Sequence, residues 1–148
     1  MSKIKPVPFY YIRHGQTDWN LENRVMGRRD IPLNEKGINQ ALSARNHLLG
    51  CGIKTICHSP LLRARMTAEI FNEVLQCELV SIDDLQEFDL GSSSGQIIGP
   101  WIDEWRLGEK LSGGETYDAF KERCINGINQ SPRLSFCSMF APIVIARV

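Results

Sequence analysis

Tyr10-Tyr11-Ile12-Arg13-His14-Gly15-Gln16-Thr17 is the stretch on which the reading of this sequence turns. An apolar, aromatic segment runs into an arginine, a histidine and a glycine, the pattern of a buried strand that delivers polar groups at its end. A histidine placed there, beside a fixed cation and a flexible turn, suits nucleophilic attack on phosphorus. Neutral imidazole is a good nucleophile. The Arg13 guanidinium is a planar fork that matches phosphate oxygens two at a time. Gly15 lets the backbone approach an anion closely. Arg-His-Gly also occurs by chance in loops, so its position and its sequel decide its meaning.

Outward from that stretch, segments 7–12, 53–58, 78–82 and 141–148 read as strands. Helices alternate with them. Asn34 is a good N-cap for a helix carrying Ile38, Ala41, Leu42, Leu48 and Leu49, with Gly50 and Gly52 as stop signals. Ser59-Pro60 supplies an N-cap and a first-turn proline for a helix reaching about residue 76. Residues 115–129 form another, with Phe120, Cys124, Ile125 and Ile128 on one face, and 101–107 is helical. Residues 18–24 make a short helix or turn, 28–32 a loop, and Gly91-Ser92-Ser93-Ser94-Gly95 a flexible loop. Strands alternating with helices, most strands apolar throughout, predict an α/β fold with a largely parallel sheet and helices on both faces.

The chain has 148 residues, consistent with one domain. Lys+Arg and Asp+Glu number 17 each, so the formal net charge is zero and nothing favours general binding to nucleic acid or an anionic membrane. The five cysteines contain no CxxC pair, which excludes zinc-knuckle and thioredoxin readings and suits reduced thiols. No apolar run before Pro6 and Pro8 suggests a signal peptide, and no stretch is long enough to span a bilayer, so the expected location is cytoplasmic.

Further landmarks follow the first in order. They are Leu33-Asn34-Glu35-Lys36-Gly37 with Gln40-Ala41; His58-Ser59-Pro60-Leu61-Leu62-Arg63-Ala64 with Thr67-Ala68; Leu85-Gln86-Glu87-Phe88-Asp89-Leu90-Gly91 with Gly95; and Gly113-Gly114-Glu115-Thr116 with Phe120 and Arg123. Together with Arg13-His14-Gly15, Thr17 and Asn20 they resemble the signature of the histidine phosphatase (phosphoglycerate mutase-like) superfamily. The resemblance covers essentially the whole chain.

It implies a three-layer α/β/α fold with a central, mostly parallel sheet and a site at the strands' C-terminal ends. It implies that His14 is the nucleophile, passing through a phosphohistidine, and that Arg13 and Arg63 clamp the phosphoryl oxygens. Glu87 would protonate the leaving alcohol, which requires a raised pKa. Gly15, Thr17, Asn20 and the backbone at Gly27 would help hold phosphate or leaving group. It implies no metal and no organic cofactor; the partners would be a small phosphorylated metabolite and inorganic phosphate as product. Phe88-Asp89-Leu90-Gly91 resembles the phosphatase version of its segment, where mutases carry an arginine and a tyrosine after the glutamate. The chain also lacks the mutases' longer insertion ahead of it. Sugar phosphates, phosphoglycerates and α-ribazole phosphate are candidate substrates.

Each residue also has an ordinary reading. His14 could be a core histidine, Arg63 a solvated helix residue as Arg65 is expected to be, and Glu87 a plain loop acid. His47 reads as a helix-surface residue and His58 as structural. Arg28 and Arg29 either meet an anionic substrate or form a solvated pair. Trp101 and Trp105 pack a helix rather than bind a ring.

The match breaks at the end. Where the family pattern places a second active-site histidine and a glycine, the late strand has Arg147 and Val148. The sequence therefore reads as a single family-like domain, 1–148, truncated at its C-terminus. Losing such a donor costs about 10²- to 10³-fold in rate, and the uncovered apolar surface predicts self-association. Two activities stand beside simple phosphatase action: an impaired or inactive form keeping only phosphate binding, and phosphoglycerate mutase activity.

Overall fold

The structure, a computed structural model, describes residues 9–130 and 143–147. Cys137 and the N-terminal prolines lie outside the described residues. Strand β1 (Phe9–Arg13) ends immediately before His14. It is followed by the short helix α1 (Asp18–Leu21), helix α2 (Glu35–Arg45), strand β2 (Thr55–His58), helix α3 (Leu62–Leu75) and strand β3 (Glu78–Ser81). Helices α4 (Trp101–Arg106) and α5 (Tyr117–Gln130) and strand β4 (Ile143–Arg147) complete the order. The α/β class is as the sequence predicts.

The sheet runs β1-β4-β2-β3. β2 and β3 are parallel, and β4 runs antiparallel to both β1 and β2, so β1, β2 and β3 point the same way. The direction of β4 corrects one expectation. Arg147 pairs with Phe9 on β1 and with Thr55 on β2, while Ile143 stands opposite Arg13. Arg147 is thus about 13 Å of strand away from the Arg13 end. The apolar run 143–146 carries no mark of direction, so its pattern fits either orientation equally.

Local sequence explains α2. Asn34 Oδ1 accepts the Gly37 N–H at 2.9 Å, as an N-cap should. The helix ends at Arg45, earlier than its apolar pattern suggests, in a 3₁₀ turn (Asn46–Leu48) that leaves His47 exposed. Gly50 and Gly52 then take positive φ of 79° and 70°. The start of α3 differs from expectation. Ser59-Pro60 stays outside the helix, and Leu62 N–H donates instead to Asp30 Oδ1 at 2.6 Å, so the cap arrives from a distant loop. Ala41, Ile53, Ile56, Ala64, Ala68 and Phe71 form the core that joins α2 and α3 to the sheet.

A second core gathers Val25, Phe88, Leu90, Trp105, Phe120 and Cys124. Trp105 is fully buried and stacks on Phe88 with centroids 4.5 Å apart, so the packing reading of this tryptophan holds. The glycine-serine loop is more ordered than expected. It contains a 3₁₀ turn (Gly91–Ser93), and Ser94 Oγ donates to the Met26 carbonyl at 2.9 Å. Cys51, Cys57, Cys77 and Cys124 form no disulfide among the described residues. No helix among the described residues is long and apolar enough to cross a membrane.

Candidate active site

Several of the polar groups singled out in the sequence gather where β1 ends. His14 follows β1 directly and is only 6% exposed. Its Nδ1 lies 2.6 Å from the Gly15 carbonyl. A carbonyl oxygen only accepts, so Nδ1 carries the proton and Nε2 keeps its lone pair. That Nε2 is buried and has no protein partner. Burial pushes the imidazole pKa down to about 3; the Gly15 carbonyl opposes the fall, and the nearby Arg63 and Arg13 charges deepen it. The ring is therefore neutral throughout the physiological range, the form that attacks phosphorus.

Arg63 sits in the first turn of α3 with a side chain 0% exposed. Its Nη1 donates to the Arg29 carbonyl at 2.9 Å, and its Nη2 donates to the Gly27 carbonyl at 2.8 Å and to Glu87 Oε2 at 2.6 Å. Its Nε is a second buried polar atom without a protein partner. Glu87, nearly buried, has its carboxyl pKa raised by that burial, with the charge and hydrogen bond of Arg63, and the charge of Arg13, pulling the other way. A carboxyl raised in this way keeps its proton more readily than an ordinary glutamate does.

Arg13 and Asn20 line two adjoining hollows. The larger, of about 400 Å³, also exposes His14, Gln16 and Gln40; the other, of about 250 Å³, runs past Glu87 and Phe88 to Ile102 and Arg106.

Four residues expected to help hold phosphate or leaving group also make structural contacts. Thr17 Oγ1 accepts the Asn20 N–H, and Asn20 Oδ1 accepts the Thr17 N–H at 3.0 Å, which makes the pair a capping box for α1. A Cβ at Gly15 would collide with the Gly37 carbonyl oxygen, so this glycine admits the backbone of α2. Gly27, at φ +52°, offers its carbonyl to Arg63 and so orients that guanidinium. Arg28 is exposed, as a solvated residue would be, and lines neither hollow. It pairs with Glu115 at 3.5 Å and Asp89 at 3.7 Å. Arg65 is exposed, as expected, beside Glu69. His58 is buried and its Nδ1 bonds the Ser59 carbonyl at 2.8 Å, in keeping with a structural role.

Sequence reasoning assigned no task to three residues that shape the site. Asp30 caps the helix bearing Arg63. Gln40 Oε1 accepts the Gln16 N–H at 2.9 Å and fixes the turn after His14. Arg123 binds the backbone of the Glu87 segment. Gln40 and Arg123 stood in recognisable motifs; Asp30 left no local signal.

Residues 9–135 match the family model described as the histidine phosphatase superfamily (branch 1). The chain is 44% identical over 84 residues to "Uncharacterized phosphatase PhoE" of Bacillus subtilis, covering 57% of this chain and 44% of that protein. It is 32% identical over 124 residues to "Probable phosphoglycerate mutase GpmB" of Salmonella newport, covering 77% of this chain and 58% of the relative. The chain therefore spans about half the length of these curated relatives. Among solved structures, a phosphoglycerate mutase from Thermus thermophilus matches with a TM-score of 0.68 at 30% identity, covering 82% of this chain and 70% of that one.

Proposed function

The chain belongs to the histidine phosphatase superfamily, and from that premise we propose that it is a cofactor-independent phosphatase of small phosphomonoesters, working through a phosphohistidine at His14. One observation carries the reading: His14 Nε2 and Arg63 Nε, a lone pair and an N–H donor, are both buried and both lack a protein partner. Isolated polar atoms of that kind are costly to bury unless a ligand completes them. A phosphoryl group does so, its phosphorus facing Nε2 and its oxygens facing Arg63 and Arg13.

In the first step the Nε2–P bond forms and the P–O ester bond breaks. Glu87 gives its proton to the departing alkoxide, and the Gly15 carbonyl steadies the cationic phosphoimidazole through Nδ1–H. In the second step Glu87 takes a proton from water. The water oxygen bonds to phosphorus, the N–P bond breaks, and inorganic phosphate leaves with His14 neutral again. Arg63 and Arg13 hold the equatorial oxygens in both steps. The hollow of about 250 Å³ beside Glu87 suits a small leaving alcohol. Transfer of the phosphoryl group back to an alcohol rather than to water is the mutase alternative.

The register of β4 favours a second reading, phosphate binding without turnover. Arg147 is paired with Phe9 and Thr55, away from His14, so the residue expected to stand for a second donor is not near the phosphate place.

Intact mass after incubation with a reactive phosphodonor tests the first reading, with His14→Ala as control. An acid-labile phosphate adduct that requires His14 is the expected result. A folded chain that binds inorganic phosphate and never labels would overturn the phosphatase reading and leave the binding one.

A further inference from the structure

The Gly113-Gly114-Glu115-Thr116 motif and Arg123 take no part in the steps above, yet they enclose the segment that carries Glu87. Arg123 lies on α5 with its side chain 17% exposed. All five of its N–H groups meet acceptors. Nη1 donates to the Asp84 and Gln86 carbonyls, both at 2.9 Å. Nη2 donates to the Glu87 carbonyl at 3.3 Å and to Glu115 Oε1 at 2.6 Å, and Nε donates to Glu115 Oε2 at 3.2 Å. Three of these acceptors are backbone of the Glu87 segment itself.

Glu115 grips the same segment from its other end. Its Oε1 accepts the Asp89 N–H at 2.8 Å, and its own N–H donates to the Asp89 carbonyl at 3.0 Å. Its carbonyl in turn accepts the buried Trp105 Nε1–H at 2.9 Å. Close backbone contact reinforces the grip: a Cβ on Gly114 would stand 2.7 Å from the Asp89 carbonyl oxygen, and one on Gly91 would collide with that of Ser112. Glu87 is therefore flanked on both sides by backbone that an ion pair holds still.

We propose that Arg123 and Glu115 are positioning residues for Glu87, fixing its backbone so that its carboxyl meets both Arg63 and the oxygen of the leaving alcohol. The inference rests on the proposed role of Glu87 as acid. The grip requires a guanidinium and not merely a cation. Lysine has three donors and no planar fork, so Arg123→Lys must abandon at least two of the five bonds. It keeps the charge, and it keeps a cation near the Phe120 ring, whose centroid is 5.4 Å from the Arg123 guanidinium carbon. The substitution thus loosens the segment without emptying the core.

The test compares two leaving groups. An alkyl phosphate needs protonation as it departs, whereas p-nitrophenyl phosphate leaves as an anion. Arg123→Lys and Glu115→Gln are each expected to lower kcat on the alkyl phosphate by about tenfold or more, the scale of a displaced catalytic group. KM should stay within about twofold, and p-nitrophenyl phosphate should turn over almost as in the parent. Glu87→Gln should show the same selectivity, and Arg123→Lys should add little to it. Equal loss on both substrates, or losses that multiply with Glu87→Gln, would overturn the proposal. A readout free of turnover accompanies this: the carbon-13 titration of the Glu87 carboxyl, identified by its disappearance in Glu87→Gln. Its midpoint should move toward that of an ordinary glutamate in Arg123→Lys, and an unmoved midpoint counts against positioning. A parent chain that neither labels at His14 nor turns over either substrate sinks the phosphatase reading alone, and the titration still decides this one.

Discussion

Two arginines of this molecule have the same chemistry and opposite circumstances. Arg63 leaves its Nε–H without a protein acceptor, and His14, near enough to feel its charge, has a ring nitrogen that also lacks a partner. Arg123 spends all five on carbonyls and one carboxylate. Both are paired with a glutamate at 2.6 Å. The difference teaches where each acts. A guanidinium with an open valence is ready for a ligand, while a saturated one is a rivet. The site is assembled by setting the open pair, Arg63 and Glu87, against a backbone that the closed pair, Arg123 and Glu115, holds in place.

The comparison can be broken most sharply at Arg63. Replacing it with lysine removes the directed Nε donor and should cost about 10²- to 10³-fold in kcat, the cost of one lost preorganised donor, on alkyl and p-nitrophenyl phosphates alike. Selective loss on the alkyl phosphate alone would place Arg63 with the positioning group instead. Next comes Arg123→Met, which leaves three carbonyls and the Glu115 carboxylate short of a partner. It should destabilise the fold by about 3 kcal/mol in urea unfolding. A loss below about 0.5 kcal/mol would mean that the saturated network contributes no more than a surface pair.

A smaller effect sharpens the comparison from the side of His14. Its pKa is about 3 when folded, against an ordinary value of 6.5. The unfolded chain therefore binds the proton first. Stability attributable to His14 is intact above about pH 6.5 and is lost as pH falls toward 3, by at most about 1.4 kcal/mol per pH unit. His14→Gln should flatten that part of the acid-unfolding profile, measured by circular dichroism; an unchanged slope would mean that the imidazole is not desolvated. The smallest effect is expected at Arg45, whose Nε is also buried without a partner but lies beside Glu73 rather than beside the hollow. Arg45→Lys should change stability by less than about 0.5 kcal/mol and leave His14 labelling as it was. A loss of labelling there would detach open valence from function.

What the sequence made legible follows the range of the interactions. The strand before His14 and the Asn34 cap depend on neighbours a few residues away, and the pattern reports them. Thr17 and Asn20 were equally local. Thr-x-x-Asn is a capping pattern, and the two residues cap α1. The cap on α3 comes from Asp30 across 32 positions, and the Arg123 bonds to backbone span 36 to 39, separations at which periodicity is silent. The direction of β4 was illegible for another reason: an unbroken apolar run reads identically from either end.

The contact of Gly15 with Gly37 has a consequence for how this sequence can drift. A Cβ at Gly15 would run into the Gly37 carbonyl oxygen, and one at Gly37 would run into that of Gln16. Each obstacle is main chain, which no substitution removes. A change at one position therefore cannot be rescued at the other, and the mutational path between them is closed in both directions. In a library randomised at both sites and sorted for folded protein, the survivors should converge on one combination, glycine with glycine.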